Sequence, residues 1–362
     1  MNRVLTWLKS YSKAFWVANG SELFERLAFY GTSSMLVVFL TESRGFEKGE
    51  AMRLGGLFGM LVYGLPVFSG FLADLMGYRR ALLLAYTLLA AGYLLLANLS
   101  GYWPIAGSLL VIAMGASLVK PTITGTVQKT CSEDNRAVGF SVYYMLVNVG
   151  GALGPIVAGL VIDGFGPGKN FLVSAASAVV ALVLVAALFR EPSAAAPVER
   201  KSFKGFLKDF LRVVANWRLD ALFVLVAGFW ALFFALYGPL PLYLTGQLGA
   251  TKAQVGYVIA VESVTVILLQ VVVGNLTRSF AASRAFLLGV LLGAVGLAIM
   301  GLYPSILGGR RRDVRAGARR DHVLGALLQV PGRHGATGPG RHVHGLRLPA
   351  DRAGLLRLRI PR

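Results

Sequence analysis

Nine apolar runs, each about the length that crosses a bilayer, constrain this 362-residue chain more than any other feature. They lie at 14–40, 51–73, 81–98, 103–124, 138–162, 171–189, 219–244, 254–276 and 285–303. A spanning helix needs roughly 20 mostly apolar residues, and its backbone must satisfy its own N–H and C=O groups in lipid. Composition agrees, with 56% hydrophobic and 15% charged residues and a mean hydropathy of +0.64; a soluble domain carries about 25% charge. The expected fold class is an all-α polytopic membrane protein.

Loop charge gives an orientation. Arg3, Lys9 and Lys13 precede the first run, Arg79 and Arg80 follow the second, Lys129 and Arg136 flank the fourth-to-fifth loop, and Arg278 and Arg284 follow the eighth. The connection at 100–102 carries no charge. The positive-inside bias therefore predicts a cytoplasmic N-terminus in a multi-pass plasma-membrane protein. No cleavable signal peptide is expected, because the first run is too long for the apolar core of one.

Six runs are followed by a long connection, so the expected domains are 1–190, a linker at 191–217, three further helices at 218–303 and a tail at 304–362. The linker opens Pro/Ala-rich at 192–197. It then places Phe203, Phe206, Leu207, Phe210, Leu211 and Val214 at helical spacing among Lys201, Lys204, Lys208 and Arg212. This predicts a basic amphipathic helix on the inner membrane surface. A calmodulin-like or nucleic-acid target is the alternative reading, and no nucleic-acid partner is expected.

From Arg310 onward there are 13 arginines against 3 aspartates, a net +10 of the chain's +19. That stretch has no Lys, Glu, Phe, Tyr, Trp, Met, Ser, Asn or Cys, yet it holds all four histidines, His322, His334, His342 and His344. After nine spans it would also lie outside, against the positive-inside bias. The expectation is a disordered, out-of-frame tail, with a genuine basic tail as the alternative. The histidines are not read as a metal site. The lone Cys131 gives neither disulfide nor metal cluster, and no nucleophile, phosphate-loop or metal-spacing motif suggests an enzyme. No cofactor is expected.

Within the first run, Glu22, Glu25 and Arg26 share one helix face, with Glu22 to Arg26 at i,i+4. Each charge costs about 2.5–3.5 kcal/mol at the centre of an inserted helix, so such groups face a cavity or one another and mark function. Lys120 in the fourth run and Glu262 in the eighth are intramembrane charges of the same kind.

The segment at 21–31, S-E-L-F-E-R-L-A-F-Y-G, resembles the E-x-x-E-R-F-x-Y-Y-G signature of the proton-coupled oligopeptide transporter family within the major facilitator superfamily. Tyr63 to Asp74 is similar to that family's Y-x-x-P-x-x-G-G-x-x-A-D stretch, and Gly70 to Arg80 to the general superfamily motif. Lys120-Pro121 matches a K-P pair, and Phe140 to Pro155, with Tyr143, Tyr144, Asn148 and Gly150, resembles the fifth-span region. The likeness is dense over six spans and thinner afterwards.

The resemblance implies a major facilitator fold: a six-helix N-terminal bundle plus an incomplete C-terminal bundle, about nine spans in all. It implies symport of di- and tripeptides with protons by alternating access. Glu22 and Glu25 would accept protons, while Arg26 and Lys120 would pair with them or with a substrate carboxylate. Tyr30, Tyr63 and Asn148 would line the pocket, and Asp74, Arg79 and Arg80 would gate it. The partners expected are a small peptide, protons and the bilayer, with the chain a monomer.

Two departures stand out. Phe229-Trp-Ala-Leu-Phe233 is similar to the family's F-W-A-x-F, but Phe234-Ala235 stands where that pattern continues Glu-Gln. Glu262 could take over the missing acid as a proton or substrate site, or mark a different substrate. The superfamily has twelve spans, so the chain as written is expected to transport little. Proton-driven efflux of drugs or metabolites is the alternative; Gly154-Pro155 with Ala158-Gly159 partly matches an antiporter motif. A non-transporting, pseudogene-like membrane protein is the alternative of another class.

Overall fold

Helix starts show why the runs begin where they do. The Ser12 side chain accepts the Phe15 N–H at 3.2 Å, and Thr251 and Gln254 form a reciprocal capping box; each satisfies N–H groups that a first turn leaves unpaired. The computed structural model describes residues 11–192 and 203–302, except 235 and 278. Arg3, Lys9, Lys201, Arg278, residues 193–197 of the linker and the Arg-rich tail with its histidines lie outside the described residues.

Twelve helices, and no strand, occur among the described residues: α1 Lys13–Glu42, α2 Lys48–Gly64, α3 Pro66–Met76, α4 Tyr78–Asn98, α5 Tyr102–Thr130, α6 Glu133–Phe165, α7 Lys169–Leu188, α8 Phe203–Val214, α9 Trp217–Phe234, α10 Pro239–Gly246, α11 Lys252–Leu276 and α12 Ala282–Leu302. Among those residues, seven helical stretches are long and apolar enough to cross a membrane, and α2 with α3 makes an eighth. The ninth run, α12, holds a shorter apolar stretch, Ser283–Ile299.

Two runs read as single helices are broken. The second bends by 44° between α2 and α3, because Pro66 has no N–H to give the Val62 carbonyl. The seventh stops at Phe234 and resumes at Pro239, after Gly238.

α1 runs through the middle, against α5, α6 and α7. Small residues let backbones approach, as membrane helices require where lipid supplies no hydrophobic drive. A Cβ on Gly92 would lie 2.6 Å from Ile112 of α5, and one on Gly154 would lie 2.8 Å from the Gly31 nitrogen of α1. At the junction of α6 with α11, a Cβ on Gly159 or Gly256 would overlap the opposite backbone, at Lys252 and Pro155 respectively.

The amphipathic segment forms α8, and its aromatic face is taken by protein. The Phe206 ring stacks on Phe71 at 5.2 Å, and Phe206 and Phe210 both approach Phe68 at 6.2 and 6.1 Å. Leu207 and Leu211, beside that stripe, remain exposed.

Candidate functional site

The local geometry of α1 is enough to bring the ionic cluster together within one helix. Arg26 Nε lies 3.3 Å from Glu22 Oε1 and pairs more closely with Glu25 Oε2. Glu22, Glu25 and Arg26 are 1%, 0% and 7% exposed. One guanidinium thus serves two carboxylates in a buried site, where an uncompensated charge is costly. The Tyr143 hydroxyl of α6 donates to Glu22 Oε1 at 3.3 Å, while Glu22 Oε2 and Glu25 Oε1 have no partner among the described residues. α6 can come this near because residue 150 is glycine: a Cβ there would lie 2.6 Å from the Arg26 Cβ. The guanidinium also faces the Phe29 and Tyr30 rings, 5.1 and 5.9 Å from their centroids, a cation–π arrangement.

Those two rings separate the cluster from a cavity of about 330 Å³ between α1, α2, α9 and α10. Phe58, Tyr63, Phe233, Phe234 and Tyr237 complete its aromatic wall. The volume sits at the low end of ligand pockets, which run from about 300 to 1,000 Å³. Tyr63 lies 5.3 Å from Phe234 and 5.8 Å from Trp230, and Tyr30 lies 5.8 Å from Tyr237. Phe234, where the resembling pattern has an acid, is part of this wall.

The expected site residues divide. Tyr30 and Tyr63 line the cavity, with Arg26 directly behind Tyr30. Glu262 is half-buried, accepts a 2.8 Å bond from the Ser263 hydroxyl, and acts electrostatically on the lining residues Tyr30 and Tyr237. Lys120 differs from expectation: its side chain is exposed, and among the described residues it makes no ion pair. Its charge reaches Glu22, Glu25 and Arg26 only through space, since Arg26, on the same helix as both acids, reaches them first. Asn148 is half-buried and donates to the Tyr144 carbonyl of its own helix at 2.8 Å rather than lining the cavity.

The expected gating residues are held within the first six runs. Asp74 accepts from the Tyr78 hydroxyl at 3.2 Å. The Arg79 side chain donates to the Ala186 and Phe189 carbonyls at 2.7 and 3.1 Å, closing the C-terminus of α7. Glu191 returns the favour to α4, accepting the Tyr78 and Arg79 backbone N–H groups at 2.7 and 2.8 Å, beside Gly77, whose φ of +86° suits glycine. Arg80 is exposed.

The charged contact between the earlier and later helices lies elsewhere, and sequence reasoning missed it. Lys252 Nζ, on the first residue of α11, lies 2.7 Å from Glu42 Oε2 at the end of α1. Asp163, near the end of α6, accepts the Lys252 and Ala253 backbone N–H groups at 3.1 and 2.8 Å. The available signal was the T-x-x-Q capping box at 251–254, which marks a helix N-terminus that attracts anions.

With its described residues nearly all helical and packed in this way, the chain matches the Major Facilitator Superfamily family model over residues 21–310. The chain belongs to the Major Facilitator Superfamily. Among superfamily relatives, a di-/tripeptide transporter of Lactococcus lactis subsp. lactis is 28% identical over 54% of this chain and 42% of its own length. Dipeptide and tripeptide permease B of Yersinia enterocolitica is 35% identical over 44% and 34%. The matches therefore span less than half the length of these relatives. The solved structure of a peptide transporter POT in complex with sulfate is 21% identical, with a TM-score of 0.66, over 83% of this chain and 76% of that one. At that identity the likeness is one of fold alone.

Proposed function

We propose that this chain is a proton-coupled carrier of the peptide-transporter kind, moving di- and tripeptides by symport. The observation that carries the reading is the buried Glu22–Arg26–Glu25 cluster set directly behind the aromatic wall of the cavity. With both acids ionised, the cluster holds one cation and two anions. Protonating one carboxylate leaves a balanced pair, and protonating both releases Arg26 towards a substrate carboxylate at Tyr30. A proton and a peptide carboxylate therefore favour one another's binding, which is the linkage a symporter needs.

In this scheme Glu22, Glu25 and Glu262 handle protons; Arg26, Tyr30 and Tyr63, with Lys120 and Asn148, serve substrate. Asp74, Arg79 and Arg80 act at the inner gate. Glu42, Asp163 and Lys252 hold the outer side shut, with the N-terminus cytoplasmic, the chain a plasma-membrane monomer, and 1–190 and 218–303 its two moving parts. Names of relatives support the substrate class.

Proteoliposomes holding the full chain test this with radiolabelled dialanine. Uptake is small, as nine runs lead one to expect, but an inward acid gradient increases it, and Glu25→Gln abolishes that increase while leaving gradient-free exchange. Absence of both activities in the wild type sinks the reading. Phe234 and the aromatic wall favour a second reading, proton-driven efflux of apolar compounds; proton movement stimulated by such compounds but not by dialanine would select it.

A further inference from the structure

Polar groups without partners continue inside the first six runs, on the side of the cluster away from the cavity. Asn170, in the first turn of α7, is 2% exposed, and neither of its side-chain amide atoms has a partner among the described residues. One turn on, the Ser174 hydroxyl lies 3.1 Å from that of Thr32 and 3.2 Å from the Ala28 carbonyl of α1. Thr32 is fully buried. The Tyr93 hydroxyl of α4 is also buried and makes no hydrogen bond of ordinary geometry among the described residues; the Thr32 side chain is within weak hydrogen-bonding reach of it, and the Glu25 charge acts on it. Glu25 Oε1 ends the series, buried and unpartnered.

A buried polar atom left unpaired costs about 1–3 kcal/mol. A row of them along one seam is not the pattern of a dry core, where nearly all such atoms are satisfied by protein or by ordered water. Buried water making about three hydrogen bonds fills such gaps. Thr32 stands seven residues after Glu25, so two helical turns, about 10 Å, separate them on one face. Tyr93 lies alongside that interval.

We infer that this seam, from Asn170 through Ser174, Thr32 and Tyr93 to Glu25, holds a file of water that carries protons to the cluster without passing through the substrate cavity. The inference rests on the proton-coupled reading above. Asn170 anchors the first water at the end of the bundle where α7 begins, the outer end in the proposed orientation. Each water or hydroxyl takes the incoming proton on one side and gives up another on the other. The net change is one proton moved and one Glu25 carboxylate converted to a carboxyl; only O–H bonds form and break. The Phe29 and Tyr30 rings close the cluster towards the cavity, so substrate and proton enter by separate doors.

Infrared spectroscopy of the full chain in lipid reads this without needing transport. The carboxylic C=O band lost in Glu25→Gln is assigned to Glu25, and its shift is followed after a switch from H2O to D2O. Ser174→Ala, Thr32→Val and Tyr93→Phe should each slow that shift about tenfold, while Thr32→Ser keeps the wild-type rate. Thr87→Val, the same exchange on an exposed site of α4, leaves it unchanged. Unchanged rates in all three seam variants, each shown to be folded by its unfolding temperature, would overturn the inference. No Glu25 band at any pH overturns the proton-coupled reading itself.

Discussion

A methyl group at position 150 would sit 2.6 Å from the Arg26 Cβ and 3.1 Å from the Leu23 carbonyl oxygen. Neither neighbour can swing aside, because both belong to the framework of α1. Gly150→Ala should therefore cost roughly 1–3 kcal/mol of stability, as overpacking does, read as a lower unfolding temperature in detergent. Equal temperatures for variant and wild type would show that α6 approaches α1 less closely. Cys131 offers a second check. It closes α5 and is 7% exposed, and burial pushes its thiol pKa up. The neutral thiol thus persists to higher pH than usual, and alkylation, which needs the thiolate, stays slow at pH 7 and accelerates only above the ordinary thiol range. Maleimide labelling followed by mass, native against denatured, should show that gap; identical rates would refute it. The cluster itself was legible in the sequence because i,i+4 spacing on one helix is local geometry. The exposure of Lys120, the position of Asn148 away from the cavity and the partners of Arg79 were not, since they depend on how separate helices are rotated and set in depth, which spacing along the chain does not encode.

Elements were legible in existence more than in shape. Apolar length located every described run, but Pro66 and the Gly238–Pro239 pair were read through, because a run's hydropathy does not register a missing N–H. The spacing at 203–214 gave α8 its helical form and its two faces; that Phe206 and Phe210 lie on α3 could not be read from either. Glu191 is a further case of an element closed by a distant residue. It lies beyond the end of α7 yet accepts two N–H groups of α4, where a helix carries partial positive charge. Glu191→Ala should cost about 1–2 kcal/mol, the scale of a lost N-terminal cap, seen as a lower unfolding temperature, whereas Glu191→Asp should recover part of it. An unchanged temperature in the alanine variant would mean that water replaces the carboxylate without loss.

For the whole molecule, the earlier and later helices meet around the aromatic cavity and, through charged groups, at the N-terminus of α11. Glu42→Cys with Lys252→Cys, in a Cys131→Ser background, should cross-link readily in the resting protein and stop any dialanine movement that the same background supports. Cross-linking only after substrate is added would mean that this contact belongs to another state. The contact joins two kinds of bond. Asp163 holds backbone N–H groups that have no other partner, while Glu42 and Lys252 form an ion pair with side chains 47% and 18% exposed. A pair that open to solvent is worth about 0–1 kcal/mol, and added salt shields it over a Debye length of about 8 Å at physiological strength. Ionic strength therefore reaches both halves of this closure, because Asp163 is itself an exposed carboxylate whose attraction to a helix N-terminus salt also screens. In the proposed carrier, how often the molecule opens at this end becomes a property of the surrounding medium, graded by its salt.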